Sequence, residues 1–288
     1  MLVESAFAVL PEMIAGLGFQ KVRSEANAVS CFAFSLLNSL HAKNILDPIQ
    51  RLQLEQSYQT QKQPFSDKSI RRACDIFLDY GGSKIGSKQL ANYGWKYRNY
   101  IEAKFLKSST TTKGGQQTAA AGWTAEIIAD LIRLITLPPE TDLLGNQSAP
   151  KTSTARYFLV LADEEPNSFL NKFFPTLNAA IASPPKHGAI DLSLNGSRVR
   201  DNFALRVGSG FNALHVTLDR ITFFAHYPII TTAPNPIWML LMRIDAATIQ
   251  HEKGGIVRQL KICEDRSIRE KCTGDYAFIR NFVAKNIN

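Results

Sequence analysis

Asn99-Tyr100-Ile101-Glu102-Ala103-Lys104-Phe105-Leu106 is the stretch from which the rest of this chain is best read. At the strand period of two, Ile101, Ala103 and Phe105 form an apolar row, while Tyr100, Glu102, Lys104 and Leu106 face the other way. A carboxylate and an ammonium two residues apart on an otherwise apolar strand have two readings. At a sheet edge they form a solvated couple. In a central strand both leave bulk water and must be paired or bind something. The flanking sequence discriminates between the two.

Upstream, Ser69 to Tyr80 (SIRRACDIFLDY) has Ile76-Phe77-Leu78 at its centre and is stopped by Gly81-Gly82, which predicts a strand ending in a turn. Asp75, Phe77 and Asp79 share one of its faces. Ser83 to Gly94 (SKIGSKQLANYG) is a basic, glycine-punctuated insertion, and Trp95 to Lys107 follows as a long second strand. The pair predicts an antiparallel hairpin with an extended cationic connection. Downstream, Ser108 to Gly115 is a polar loop. Gln117 to Thr136 then repeats Ala121, Ile127, Ile128, Leu131, Ile132 and Ile135 at helical spacing until Pro138-Pro139 ends it. Ala155 to Ala162 (ARYFLVLA) is apolar throughout, as in a strand buried on both faces. A central position for Glu102 and Lys104 follows from this order.

Residues 1–58 read as helices: Leu2 to Leu17, Glu25 to His41, and a third from Pro48, after an Asp47 cap, to Tyr58. Asp163 to Pro166 leads into a helix over Ser168 to Ile181. Beyond Pro184-Pro185 the chain is strand-rich, with strands at Ala189–Leu194, Val199–Val207, Leu214–Leu218, Ile221–Ala225 and Trp238–Ile244. Asn195-Gly196 is a hairpin turn. Asp245 to Gln250 reads as a helical turn and Asp275 to Lys285 as a closing amphipathic helix. No internal repeat or low-complexity segment interrupts the 288 residues, which read as a single α+β domain, 1–288, with a mixed central sheet flanked by helices.

A composition 45% hydrophobic and 20% charged supports a substantial core. No apolar run is long enough to span a bilayer. Met1 to Leu17 carries Glu4 and Glu12 and no basic residue, which predicts no signal peptide and a cytoplasmic protein with no membrane partner. Cys31, Cys74, Cys263 and Cys272 are scattered and read as buried reduced thiols, without a disulfide or zinc site. A net charge of +8, from 33 basic and 25 acidic residues, favours a polyanionic partner, nucleic acid first.

Asp75 on the first strand of the hairpin, with Glu102-Ala103-Lys104 on the second, resembles the PD-(D/E)XK nuclease superfamily. The helix and the buried strand follow in that superfamily's order, so the resemblance covers residues 69–163 within a nuclease-like core of 69–183. It departs from the family in having Cys74, not proline, before Asp75. The resemblance implies a restriction-endonuclease-like fold and Mg²⁺-dependent hydrolysis of DNA, with Asp75, Glu102 and Lys104 catalytic. Two carboxylates from adjacent strands and a backbone carbonyl, that of Ala103, would hold a hard Mg²⁺ with water positions open. Lys104 would orient the attacking water or stabilise developing charge. Asp79 lies on the same face as Asp75 and competes with it as the ligand.

Glu4, Glu12 or Glu25 could add a further acid from a helix, against the commoner reading of solvated helix residues. Lys84, Lys88, Lys96, Arg98 and Lys113, with Tyr93 among them, are candidate nucleic-acid contacts, or a solvated loop. The Q-x-x-x-Y pattern of one nuclease branch is not met, because Ala121 stands four after Gln117. His187, His215, His226 and His251 are isolated and read as structural. No Gly-x-Ser-x-Gly elbow, Walker loop or Rossmann fingerprint occurs. The strand-rich 184–288 region would serve target recognition or a homodimer contact. The alternative is a non-catalytic nucleic-acid-binding or assembly protein in which Glu102 and Lys104 form a structural ion pair.

Overall fold

Apolar residues at alternate positions build the sheet, and runs apolar at every position mark where it is covered twice. The computed structural model describes residues 2–16, 24–45, 48–57, 73–79, 98–106, 116–137, 154–163, 186–192, 204–229, 237–264 and 270–287. Among them run nine strands: β1 (Leu52–Ser57), β2 (Ala73–Asp79), β3 (Arg98–Leu106), β4 (Thr154–Ala162), β5 (Lys186–Asp191), β6 (Leu214–Ile229), β7 (Ile237–Lys253), β8 (Ile256–Glu264) and β9 (Glu270–Gly274). They form one sheet of order β1-β2-β3-β4-β7-β6-β5, with β8 on β7 and β9 on β8. Only the β3–β4 pair is parallel. That pair needs a crossover, and helix α4 (Gln116–Ile135) lies within it.

The helices divide between the two faces. α1 (Leu2–Gly16) and α2 (Glu25–Ala42) pack on Ile76, Ile101, Ala103, Tyr157, Leu159 and Leu161. α4 and the closing helix α5 (Tyr276–Asn286) pack on Tyr100, Phe158, Val160 and the β6–β8 strands. Every residue of β4 is buried between these layers. β3 is buried from Asn99 to Ala103, so Glu102 sits inside the molecule. The fold is mixed α+β with helices flanking a mixed sheet, as the sequence predicts.

The last turn of α4 is tied down from the sheet. Arg156 on β4 donates from Nε to the Leu134 carbonyl and from Nη2 to that of Leu137, both at 3.1 Å. The Tyr276 hydroxyl donates to Thr136 O at 3.2 Å. These donors satisfy carbonyls that a helix end otherwise leaves without partners. They also fix the turn before, which carries Asp130 and Arg133.

Four of the expected secondary-structure elements fail, each for a physical reason. The expected third helix stops after one turn, α3 (Pro48–Arg51), and Leu52–Ser57 becomes β1, because its alternating Leu-Gln-Leu pairs with β2. Asp245 to Gln250 is strand, not helical turn: Asp245, Ala247 and Ile249 alternate with half-buried neighbours along the long β7. The separate strands Leu214–Leu218 and Ile221–Ala225 are one strand, β6, whose register shifts around Arg220 and so absorbs the polar Asp219-Arg220 step. Ala204–Val207, expected as the end of a strand, forms a helical turn in which Gly208 N donates to Ala204 O. β8 and β9 have no counterpart among the expected strands; Gly254 and Gly255, both at positive φ, turn the chain from β7 into β8. The helix expected over Ser168–Ile181 and the Asn195-Gly196 turn lie outside the described residues. Cys31 and Cys74 are buried thiols as expected, whereas Cys263 is exposed. Among the described residues no helix is long and apolar enough to cross a membrane.

Candidate active site

The β2–β3 pairing brings Asp75 to the β3 stretch that carries Glu102 and Lys104. Phe77 stands opposite Tyr100, their rings 4.8 Å apart, so these two side chains share the face towards α4. Glu102, two residues along β3 from Tyr100, occupies that same face and Lys104 lies one further step along, while the Asp75 carboxylate of β2 reaches the β3 backbone at Ala103.

The paired ladder runs from Asp79↔Arg98 to Ile76↔Ile101, and there it stops. Beyond that point side chains of β2, not its backbone, meet β3. Cys74 Sγ donates to Ile76 O at 2.9 Å and to Ile101 O at 3.3 Å, and the Asp75 Oδ2 carboxylate accepts from Ala103 N–H at 2.7 Å. The same point is irregular on the β1 side. Pairing there skips from Leu54↔Ile76 to Gln56↔Cys74, and Glu55 between them adopts φ 53°. One residue of each strand, Glu55 and Asp75, stands between those two pairs, so the register is kept and the break in pairing is local. Because N–H and C=O of one strand residue point the same way, the Ala103 carbonyl faces the flank that β2 has left.

Asp79 sits at the other end of the ladder, where its carboxylate pairs with Arg98 Nε at 3.8 Å. Of the two aspartates, Asp75 is the one whose carboxylate reaches the Glu102–Lys104 stretch, at Ala103 N–H. Arg98 is thereby occupied by Asp79, and Lys84, Lys88, Tyr93, Lys96 and Lys113 lie outside the described residues.

Three side chains join the cluster that the sequence did not mark, or marked only in passing. Lys104 Nζ lies 3.1 Å from Asp130 Oδ2 on α4 and 3.3 Å from Glu25 Oε2 on α2. Asp130 Oδ1 is bound by Arg133, three residues on. Ser24 caps α2, its Oγ accepting from Asn27 N–H at 3.2 Å, and so places Glu25 in the helix's first turn. Glu25 was one of the helix acids weighed above. Asp130 and Arg133 were missed because an acid and a base three apart on a helix ordinarily mark a solvated face. Glu4, another of those acids, lies elsewhere, in a buried network with Tyr157 and Arg243, and Glu12 makes no contact with the cluster that the structure records.

Charge in this cluster is unbalanced. Glu25, Asp75, Glu102 and Asp130 face Lys104 and Arg133. Burial pushes the Glu102 carboxyl up to about 8 against the pull of Arg133 and Lys104, with Glu25 adding to the rise. Burial likewise raises Asp75 to about 6, although the Ala103 hydrogen bond and Lys104 oppose it and Glu25 and Glu55 reinforce it. Arg133 is lowered by burial and held charged chiefly by Glu102 and Asp75. Two oxygen-bearing carboxyls short of positive charge, beside an inward-turned carbonyl, fit a hard divalent cation. The set is a small one: among the described residues no three His, Cys, Asp or Glu side chains converge as metal ligands.

No protein-family model matches the chain, and neither a curated protein nor a solved structure matches it. The functional reading therefore stands on geometry and chemistry.

Proposed function

We propose that this chain is a Mg²⁺-dependent endonuclease, restriction-endonuclease-like and cytoplasmic, that hydrolyses DNA phosphodiester bonds with Asp75, Glu102 and Lys104 as its catalytic residues. One observation carries the reading: where β2 and β3 part, the half-buried Asp75 carboxylate is bound to the backbone of Ala103, the residue between buried Glu102 and Lys104. The order of elements adds support, since antiparallel β2 and β3 are followed by α4 and the buried parallel β4, as the nuclease resemblance implies. Asp75, Glu102 and the Ala103 carbonyl would hold the metal. Bound there, Mg²⁺ supplies a water of lowered pKa and neutralises charge on the scissile phosphate. Lys104 orients the attacking water and stabilises negative charge growing on the phosphate oxygens. Water adds to phosphorus, the bridging P–O bond breaks, and the leaving oxygen departs protonated. The +8 charge suits a DNA substrate, and residues 184–288 would serve target recognition or a homodimer contact, since cutting both strands uses two such sites.

The second reading, a nucleic-acid-binding protein without catalysis, draws on Lys104 being already engaged by two carboxylates. It needs a Glu102–Lys104 ion pair, and among the described residues Lys104 pairs with Glu25 and Asp130 instead. The two readings separate on Glu102→Ala and Lys104→Ala. Under the nuclease reading each loses DNA cleavage and keeps salt-sensitive DNA binding. Cleavage that survives both substitutions sinks it.

A further inference from the structure

We infer that Asp130 is a positioning residue of this site, anchoring the Lys104 ammonium from the α4 side while Glu25 steadies it from α2. The inference deepens the nuclease reading and rests on it. A lysine ends in a compact charge on a flexible four-carbon stem, so its useful location has to be imposed by its neighbours. Here two carboxylates impose it from opposite layers of the fold, at 3.1 Å and 3.3 Å.

The two are unequal. The Asp130 side chain is 5% exposed and Glu25 43%, so the Glu25 contact is screened by solvent and the Asp130 contact dominates. Asp130 is itself held twice. Arg133 takes its Oδ1, and the helix that carries it is anchored at its end by Arg156 and Tyr276. With one oxygen on a guanidinium and the other on an ammonium, Asp130 is committed to cations and is not a spare metal ligand. Its Oδ2 accepts no directed hydrogen bond, so the tie to Lys104 is one of charge. That tie fixes where the ammonium sits and leaves its N–H donors for a water or a phosphate oxygen.

The test uses the full chain and two readouts. The first is acylation of lysine amines by an acetylating reagent, followed by peptide mass spectrometry, with exposed Lys253 and Lys261 as internal references. In the wild type Lys104 should react much more slowly than either; equal reactivity overturns the inference without any variant. Asp130→Asn should raise Lys104 reactivity several-fold, and Glu25→Gln should raise it less. The second readout is the cleavage rate against Mg²⁺ concentration. Asp130→Asn should lower the maximal rate by about 10- to 100-fold with the Mg²⁺ midpoint unmoved, as expected when a reacting group is misplaced by about an ångström. Asp130→Glu, which keeps the charge, should recover part of it. Unchanged Lys104 reactivity, an unchanged rate, or a midpoint that shifts with the rate each overturns the inference. Should the wild type cleave no DNA at all, the nuclease reading fails and the catalytic role of Asp130 with it; the acylation pattern still decides whether Asp130 holds Lys104.

Discussion

Glu102 and Asp75 are carboxyls in surroundings that disfavour their charge, and this has a thermodynamic consequence. Each binds its proton more tightly folded than unfolded: Glu102 at about 8 against 4.5, Asp75 at about 6 against 3.8. Between those values the folded state holds the extra proton, so the stability these groups contribute is fully present only below pH 3.8 and is lost as pH rises through about 6 and about 8. Scanning calorimetry in a chelator should show the melting temperature falling from pH 5 to pH 8. Mg²⁺ should raise it more at pH 8 than at pH 5, because less of Glu102 then carries a proton that the metal must displace. A melting temperature that does not respond to Mg²⁺ at pH 8 contradicts the metal site. The aspartates give a second check: Asp75→Asn should abolish cleavage, whereas Asp79→Asn, at the Arg98 end of the ladder, should leave most of it. Glu102 and Lys104 were legible in the sequence because strand alternation alone puts them on one face. The choice of Asp75 over Asp79 rested on its position alone, and it takes the pairing to show that Asp79 meets Arg98 while Asp75 meets Ala103 N–H.

Among the elements, α4 matters most, because it brings Asp130 and Arg133 over the site. Its C-terminal carbonyls are held by Arg156 from the neighbouring strand. Arg156→Met removes two charge-assisted hydrogen bonds to buried carbonyls and should lower stability by about 2–4 kcal/mol in urea unfolding. A loss below about 0.5 kcal/mol would mean that water or a neighbour replaces the guanidinium. Helices α1, α2, α4 and α5 were legible from their apolar spacing, as were β2, β3 and β4 from their apolar runs. The second half of β7 was not. Asp245, Thr248 and Gln250 look helical to a reader of composition, and only pairing with β6 and β8 on both sides makes that segment a strand. β1 was hidden for the same reason: Leu52 and Leu54 alternate over too short a run to outweigh the Asp47-Pro48 helix start until β2 lies beside them.

At the scale of the molecule, one sheet carries both the candidate site and the strand-rich C-terminal half, because β4 is hydrogen-bonded to β7. The α1 layer is pinned to that sheet by a buried polar network. Arg243 donates to Glu4 at 2.8 Å and to Asp245 at 2.7 Å, Tyr157 donates to Glu4 at 3.1 Å, and Thr222 donates to Asp245 at 2.6 Å. Arg243→Met strips buried Asp245 and half-buried Glu4 of their cation, so it should destabilise the protein by about 3–5 kcal/mol in urea unfolding. Retained stability would show that water replaces the guanidinium at Glu4 and Asp245 without strain. The network lies on the α1 face, away from α4, so its loss should act on folding and not on the chemistry of the surviving folded fraction. The most direct measurement is cleavage of plasmid and genomic DNA by the full chain, with Mg²⁺ and with chelator, beside Glu102→Ala and Lys104→Ala. The expected result is Mg²⁺-dependent cutting by the wild type alone, with DNA binding kept by all three. Salt-sensitive binding with no Mg²⁺-dependent cutting by the wild type, or cutting that both variants retain, would contradict it.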